Sequence, residues 1–384
     1  MTYDTYGNQL TLADPSAGSS SYTYYGGGEL RTQVTPLGTT TRYYKTDGRD
    51  STYTNPAGVY TYTYGANKLV SGITSPGNSN FPTNVSRSYT YYSNGKVNEI
   101  SETIESGQTN KVTFVYDSYG RVSSKTYTNS DNATRTEGYV YNSYGYLDQV
   151  TFNGTVVYDV STMNVRGQIT AASIGGNAAT WGYNSYGQLT SSAASGVQGY
   201  TYTPNTTTGN LTSRSNSLRS LTESFGYDTS DRLTSVTGTN ALTLTYDTDG
   251  KGNIATKSDA GTLVYDLSGK PYAVRHVNPY DTINFPSASQ TINYTSFGKV
   301  YTIAEGTYSA SFKYNADNER VKMVLVNGTN TKTKYYFGGS YEKVIEGGVT
   351  TEYIWIGGDP YTAVAVAKIS GGVTTVYSIF RDNL

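Results

Sequence analysis

The stretch Tyr116-Asp-Ser-Tyr-Gly-Arg-Val122 has the pattern of a β-hairpin tip, and its recurrence limits what this chain can fold into. Apolar and polar residues alternate on both sides of it with the period of two that is typical of β-strands. Asp117 can cap its own turn through side-chain to backbone hydrogen bonds, and Gly120 can adopt a positive φ without steric cost. A loop from Asp117 to Arg121 would make Tyr116 and Val122 a facing cross-strand pair, which is favourable for an aromatic and a β-branched residue.

The same pattern is an aromatic residue, then Gly, Asn or Asp four positions later, then an aliphatic residue two positions after that. From residue 141 onward the copies begin at 141, 163, 183, 205, 227, 246 and 265. A period of roughly 20 residues corresponds to two strands and two turns. The sequence therefore predicts one hairpin per repeat.

The residues that we assign to the repeat scaffold are the tip aromatic residues and the turn residues that follow them. They are Tyr91, Gly95, Tyr116, Asp117, Gly120, Arg121, Tyr141, Gly145, Tyr183, Gly187, Tyr227, Asp228, Tyr246, Asp247, Gly250, Tyr265, Asp266, Gly269, Tyr294, Gly298 and Tyr314. We assign no catalytic, cofactor-binding or metal-binding residue and no cofactor.

These copies resemble the YD-repeat, or RHS-repeat, family of large bacterial surface and toxin proteins, whose relatives include the B and C components of Tc toxins and the animal teneurins. The resemblance covers nearly the whole chain. Near the C-terminus, the stretches 314–323, 335–343 and 353–358 resemble the last repeats before the family's associated core domain. The residues Arg381-Asp-Asn-Leu384 resemble the start of that core's Asp-x-Leu-Gly-Ser signature.

The resemblance implies an all-β fold, in which a repeat array of antiparallel β-hairpins forms a long twisted spiral sheet, as a YD-repeat shell or part of one. It also implies a structural role, in which the shell encloses a toxic C-terminal effector polypeptide. In the family the core domain, its aspartate-dependent self-cleavage site and the variable effector come after the repeats. The expected partners are therefore the enclosed effector polypeptide and the core domain, and this segment is expected not to be an enzyme.

The repeats divide the chain by regularity. Residues 1–90 are irregular YD-type repeats, residues 91–307 are a regular array, and residues 308–384 are longer-stranded terminal repeats. A longer connection is predicted from Asn278 to Pro286. In the terminal repeats the predicted strands are 308–314, 320–326, 331–337, 341–346, 350–356, 361–369 and 373–380, with hairpin turns at Asn327-Gly328 and Gly347-Gly348.

The composition favours a core that is rich in tyrosine. The chain has 41 Tyr among 384 residues, and a tyrosine ring buries apolar area while its hydroxyl reaches a polar partner. Charged residues make up 15% with a net charge of −1, so no basic stripe is available for nucleic acid. The solvent-facing registers are expected to carry residues such as Thr243, Thr245 and Lys313.

The chain has no cysteine, which excludes disulfides, thiolate nucleophiles and zinc ribbons. The N-terminus has no signal-peptide pattern, and no apolar run is long enough for a transmembrane helix. We expect a segment of a longer bacterial protein, secreted or at the cell surface. Its unpaired sheet edges predict self-association in isolation.

Several residue groups suggest chemistry, and each has a simpler structural explanation. The stretch Asp247 to Asn253 resembles a calcium loop, but Lys251 and Ser258 occupy positions that should carry ligands, so a repeat turn is favoured. His276 is the single histidine, so a structural role is favoured over a metal site or a catalytic triad. Carboxylate pairs such as Asp228 and Asp231 recur as turn residues, so turn formation is favoured over acid–base catalysis.

Trp181 and Trp355 with neighbouring tyrosines could stack on sugar rings, although rings that line the sheet faces are the favoured interpretation. The alternative function is therefore an extracellular adhesin or carbohydrate-binding surface built from the same repeats.

Overall fold

The structure is a computed structural model that describes residues 1–77, 81, 84–129, 132–266, 269–279 and 290–382. In this part of the chain the fold is all-β, with one sheet of 26 strands and one of nine. The described pairings join strands that are consecutive in the chain, and all of them are antiparallel, as in β2–β3, β11–β12 and β33–β34. The predicted array of hairpins is therefore confirmed.

The strands of the larger sheet are β1 (Thr2–Tyr3), β2 (Gln9–Asp14), β3 (Gly18–Tyr24), β4 (Leu30–Thr35), β5 (Gly38–Tyr44), β6 (Asp50–Asn55), β7 (Gly58–Tyr64), β8 (Val70–Ser75), β9 (Val85–Tyr91), β10 (Val97–Glu105), β11 (Gln108–Tyr116), β12 (Val122–Asn129), β13 (Thr134–Tyr141), β14 (Leu147–Phe152), β15 (Thr155–Met163), β16 (Ile169–Ile174), β17 (Asn177–Tyr183), β18 (Leu189–Ala194), β19 (Gln198–Pro204), β20 (Leu211–Asn216), β21 (Leu221–Tyr227), β22 (Leu233–Gly238), β23 (Leu242–Tyr246), β24 (Ile254–Lys257), β25 (Gly261–Asp266) and β26 (Lys270–Pro279). Those of the smaller sheet are β27 (Gln290–Tyr294), β28 (Val300–Glu305), β29 (Tyr308–Tyr314), β30 (Arg320–Asn327), β31 (Asn330–Phe337), β32 (Tyr341–Glu346), β33 (Val349–Ile356), β34 (Ala365–Ser370) and β35 (Val373–Ser378).

The chain divides into two compact units. Unit 1 comprises Met1–Tyr139, Thr151–Thr155 and Ala288–Tyr377, and unit 2 comprises Val140–Val150, Val156–Ser287 and Ser378–Leu384, as far as these ranges are described. The division of the repeats by regularity, at residues 90 and 307, remains a prediction.

The core of unit 1 lies between strands of its N-terminal part and the nine-stranded sheet. Tyr53 stacks on Tyr60 with ring centroids 4.2 Å apart, and the Tyr53 hydroxyl donates to the Ala316 carbonyl over 3.1 Å. Farther along, Tyr127 of β12 stacks on Tyr341 of β32, with centroids 6.5 Å apart. Buried tyrosines thus join segments that are far apart in the sequence.

The core of unit 2 is built largely from small and aliphatic side chains. Ala172, Ile174, Ala179 and Ala194 are buried on the paired strands β16 to β18. Short side chains of this kind bury little apolar area per repeat.

Two strand boundaries in the terminal repeats differ from the prediction by more than one residue. The predicted strand 361–369 begins at Ala365, because Asp359 holds a turn whose Oδ1 accepts hydrogen bonds from the N–H groups of Tyr361 and Thr362, both 2.9 Å long. The last predicted strand ends at Ser378 rather than Phe380. The hairpin turns at Gly328 and at Gly347-Gly348 are present, with positive φ at each glycine.

One predicted exposure is wrong. Thr243 and Thr245 are exposed as expected, but Lys313 is only 4% exposed. It lies in β29 within the continuous buried run from Phe312 to Ala316, where strand alternation does not separate a wet face from a dry one. Of the predicted connection from Asn278 to Pro286, residues 280–286 lie outside the described residues.

Candidate functional site

The hairpin tip at Asp117 has the geometry that its sequence predicts. The Asp117 carboxylate accepts hydrogen bonds of 2.9 Å from the N–H groups of Tyr119 and Arg121. Gly120 has a φ of 81°, and its N–H donates to the Asp117 carbonyl over 2.9 Å. Tyr116 and Val122 are a facing pair in the β11–β12 ladder. The turn is thus closed by its own side chain.

Other copies repeat this turn with changes at single positions. Gly95, Gly145, Gly187, Gly250 and Gly298 all have positive φ. Where Gly is replaced, the left-handed conformation persists, since φ is 58° at Asp231, 60° at Asn318 and 65° at Lys68. Asp228 accepts from Arg232 N–H, and this hydrogen bond holds the pKa of the Asp228 carboxyl below its ordinary value.

The remaining assigned residues also lie at strand ends or in turns. Tyr141 ends β13, Tyr183 ends β17, and Tyr294 ends β27. Asp266 ends β25, and Gly269 lies in the turn before β26. The structure therefore distributes the repeat residues along the sheets and does not gather them into one site.

The tip tyrosine reaches from its own repeat to an earlier strand. Tyr116 donates from its hydroxyl to the Val97 carbonyl over 2.8 Å, and Val97 is the aliphatic residue of the preceding repeat. The acceptors in the other described cases also lie 11 to 21 residues earlier. The pairs are Tyr24–Gln9, Tyr44–Leu30, Tyr64–Asp50, Tyr91–Val70, Tyr227–Leu211, Tyr246–Leu233, Tyr265–Ile254 and Tyr314–Val300. We call this set the tyrosine ladder.

Unit 1 contains a second set of long-range contacts, which we call the polar seam. It links strands β9 to β13 with the terminal repeats through charged and polar side chains. Its members are Arg87, Glu102, Glu105, Tyr127, Asn129, Glu137, Asp317, Glu319, Lys322, Tyr335, Ser340, Glu352 and Gly357.

At one end of the seam, Arg87 meets three carboxylates. Its guanidinium lies 3.1 Å from Glu102, 3.0 Å from Asp317 and 3.4 Å from Glu319. Burial raises the pKa of Glu102, against the opposing charge of Arg87. Burial alone would lower the pKa of Arg87, but the charges of Glu102 and Glu319 and the interaction with Tyr89 together raise it. The half-buried Arg87 thus links β9 and β10 to the turn that follows β29.

Farther along the seam, Glu105 accepts from both Lys322 and Tyr335. The Lys322 ammonium lies 2.7 Å from the Glu105 carboxylate, and the Tyr335 hydroxyl donates to its other oxygen. Burial, reinforced by this carboxylate, raises the pKa of Tyr335. Near the other end, Asn129 donates to Glu352 over 2.8 Å and the Gly357 N–H donates to Glu137 over 3.1 Å. These contacts pair side chains of β10, β12 and β13 with groups of the terminal repeats, as a structural joint would.

The structure gives the surroundings of each residue group that suggested chemistry. Asp249 pairs with Lys251 at 2.6 Å in the loop that resembled a calcium site. His276 is exposed on β26, opposite Val264. Within the described ranges, no group of three or more His, Asp or Glu side chains is arranged to hold a metal ion. Trp181 lines a cleft in unit 2, and Trp355 lines another in unit 1.

Comparison with known proteins places the fold. No family model and no curated protein matches the sequence. Among solved structures, the chain is similar to TcdB2–TccC3 without its hypervariable C-terminal region, with a TM-score of 0.78 and 14% identity over 97% of this chain. The chain has the YD-repeat fold of TcdB2–TccC3.

Two further YD-repeat structures agree. A TcdB2–TccC3–Cdc42 structure aligns with 100% of this chain at a TM-score of 0.72 and 15% identity. A Tc holotoxin pore from Photorhabdus luminescens that carries a TccC3 mutation aligns at 0.63 and 13% identity, also over 100% of this chain. The chain covers 23%, 23% and 24% of these three chains, so it spans about a quarter of their length.

In the part of the chain that the structure describes, no helix has the length and hydropathy needed to cross a bilayer.

The sequence patterns pointed to the tips but not to the acceptors of the tyrosine ladder or to the seam. A signal was present for the ladder, because a repeat that prefers Tyr over Phe requires a use for the hydroxyl. For the seam, the charged residues at strand positions, such as Arg87 and Glu102, were the available sign.

Proposed function

We propose that this chain is a structural segment of a YD-repeat shell that encloses a C-terminal effector polypeptide, in a bacterial protein that is secreted or displayed at the cell surface. The observation that carries the proposal is the likeness to TcdB2–TccC3 over 97% of the chain. That TcdB2–TccC3 structure was determined without a hypervariable C-terminal region, which corresponds to the effector proposed here.

The tyrosine ladder supports a shell whose interior need not be filled by packed side chains. Each hydroxyl ties a repeat to a backbone carbonyl of an earlier strand, as Tyr227 does with Leu211 over 2.9 Å. A buried or half-buried hydrogen bond of this kind contributes about 1 kcal/mol. Cohesion along the sheet then depends less on apolar packing across it, and a hollow interior becomes physically reasonable.

Small-angle scattering and electron microscopy of the purified chain, over a concentration series, test this proposal. We expect a curved particle with low density at its centre, whose scattering extrapolates to one size at low concentration. A solid rod or a fibre that grows with concentration would contradict the shell, and would indicate stacking through open sheet edges.

A second candidate function, an adhesin or carbohydrate-binding surface, is favoured by one observation. The second aromatic residue of several tips is largely exposed, namely Tyr6 (90%), Tyr119 (83%), Tyr144 (86%) and Tyr186 (65%). Exposed rings can stack on sugars. A glycan array tests this function: binding that a Tyr144→Ala/Tyr186→Ala variant loses would support the adhesin, and no binding by the wild-type chain would contradict it.

A further inference from the structure

The C-terminal residues of unit 2 are bound by strands about 170 to 180 residues earlier. The Asp382 carboxylate accepts from the Tyr202 hydroxyl over 2.6 Å and from the Arg214 guanidinium over 2.5 Å. The Gln198 side-chain amide donates to the Arg381 carbonyl over 2.7 Å. Both oxygens of one carboxylate and a neighbouring backbone carbonyl are therefore engaged.

The groups that bind Asp382 lie on two adjacent strands, and a residue of the next strand supports them. Tyr202 of β19 faces Arg214 of β20, and Arg214 faces Glu223 of β21. Glu223 is held in place by Asn240, whose side-chain amide donates over 2.7 Å. The strand registers thus place the Tyr202 hydroxyl and the Arg214 guanidinium side by side, independently of Asp382.

Gln198, Tyr202 and Glu223 are buried and Arg214 is half-buried, so the donors among them require acceptors. Gln198 is 8% exposed, Tyr202 is 6% exposed and Glu223 is 2% exposed. A buried polar donor that loses its acceptor is costly, and hydrogen bonds from a guanidinium to a carboxylate are among the strongest in proteins. Burial alone would lower the pKa of Arg214, but its hydrogen bond to Glu223 and the charge of Asp382 raise it.

We propose that Gln198, Tyr202 and Arg214 form a carboxylate-binding tail site that anchors Arg381-Asp382 against β19 and β20 and thereby restricts the motion of residues 379–382. Glu223 serves as a positioning residue, because its carboxylate pairs with the Arg214 guanidinium. The proposal concerns contacts within this chain, so it stands whether or not the chain encloses an effector. The anchored residues also line a cleft of about 670 Å³ together with Trp181, Tyr183 and Leu189.

Hydrogen–deuterium exchange of the full chain, read by mass spectrometry at residues 379–382 and corrected for intrinsic rates, tests the tail site. Asp382→Asn is the principal variant, because it changes the tail and leaves the strands intact. We expect exchange at least tenfold faster than in the wild type, a similar increase in Arg214→Met, and no further increase when the two are combined. Exchange in Asp382→Asn within twofold of the wild type would overturn the proposal.

The matched control is Arg232→Met, which removes an arginine of unit 2 that pairs with Asp228 in a hairpin turn at 2.7 Å. It should leave exchange at the tail unchanged. An equal acceleration in Arg232→Met would show a general loosening of unit 2 and would also overturn the proposal.

Trp181 gives an independent readout in a Trp355→Phe background, because it then is the single tryptophan of the chain and lines the same cleft. Its quenching by acrylamide should increase in Asp382→Asn, and unchanged quenching would count against the tail site.

Discussion

At the scale of single residues, the tyrosine hydroxyl explains why the repeat uses Tyr at its tip. A phenylalanine would bury a ring of the same size, but it could not bond to the earlier strand. In the described strands the acceptor is usually the carbonyl of the preceding repeat's aliphatic residue, as with Tyr116 and Val97. The motif therefore encodes both the turn and the connection to the preceding hairpin.

This role predicts the effect of removing one hydroxyl. In the wild type the Tyr227 hydroxyl donates to the Leu211 carbonyl over 2.9 Å. Tyr227→Phe removes this donor and should lower the free energy of unfolding by about 1 kcal/mol. Urea unfolding followed by circular dichroism measures the change. Tyr186→Phe is the control, because Tyr186 is 65% exposed at its tip and should be neutral. Equal stability of the Tyr227→Phe variant and the wild type would refute a stabilising ladder.

Lys313 gives a prediction of pH dependence. Burial lowers its pKa from 10.5 to about 8, while its cross-strand neighbour Lys322 pairs with Glu105. Between these two pH values the unfolded chain retains a proton that the folded chain has lost, so the stability contributed by this site rises with pH. Below about pH 8 the folded state carries the full cost of a buried charge.

Lys313→Met should therefore be more stable than the wild type at pH 7, and its advantage should shrink as the pH rises from 8 towards 10. Unfolding in urea at pH 7, 8, 9 and 10 measures the difference between the two proteins. Lys368→Met, on an exposed position of β34, is the control for the loss of a lysine that is not buried. An advantage that grows with pH would contradict the assignment.

At the scale of the hairpin, the turn imposes its backbone conformation whatever residue occupies the glycine position. Lys68 stands four residues after Tyr64, as the repeat requires, and has a φ of 65°. A side chain with a Cβ atom is strained there by about 1–2 kcal/mol, while glycine is not. The Lys68 N–H still donates to the Gly65 carbonyl over 2.9 Å, so the turn is intact.

We expect Lys68→Gly to stabilise the chain by about 0.5–1 kcal/mol, after allowance for the greater entropy of glycine in the unfolded state. Thermal unfolding measures this gain. Lys68→Ala keeps the Cβ atom and should show no gain, which separates backbone strain from loss of the lysine side chain. A loss of stability in Lys68→Gly would mean that this side chain stabilises the turn by more than the strain costs.

The hairpins were predictable from the sequence because their determinants are local. Asp117, Gly120 and the facing pair lie within a few residues, so turn chemistry and period two suffice to predict them. The start of β34 was missed because the turn at Asp359 interrupts an apolar run that reads as strand. The burial of Lys313 was missed because it depends on packing within unit 1. The alternation of polar and apolar residues along a strand does not indicate such packing.

At the scale of the whole molecule, unit 1 is joined by residues more than 200 positions apart. Arg87 meets Glu319 and Glu105 meets Lys322 across separations of 232 and 217 residues. No periodicity could have paired them, since charge at a strand position marks an unusual environment but not its partner. Contacts of such high sequence separation also form late, because loop closure must precede them.

The strength of this seam can be measured at Glu105. Glu105→Gln removes the charge that accepts from Lys322 over 2.7 Å and from the Tyr335 hydroxyl, and should cost about 2 kcal/mol in the free energy of unfolding. The matched control is Glu346→Gln, because Glu346 pairs with Lys332 at 3.0 Å with both side chains well exposed, and such pairs contribute about 0–1 kcal/mol. Urea unfolding of both variants should place Glu105→Gln well below Glu346→Gln in stability. Equal losses would mean that burial does not strengthen the seam, and that the terminal repeats are held to β9–β13 by apolar packing instead.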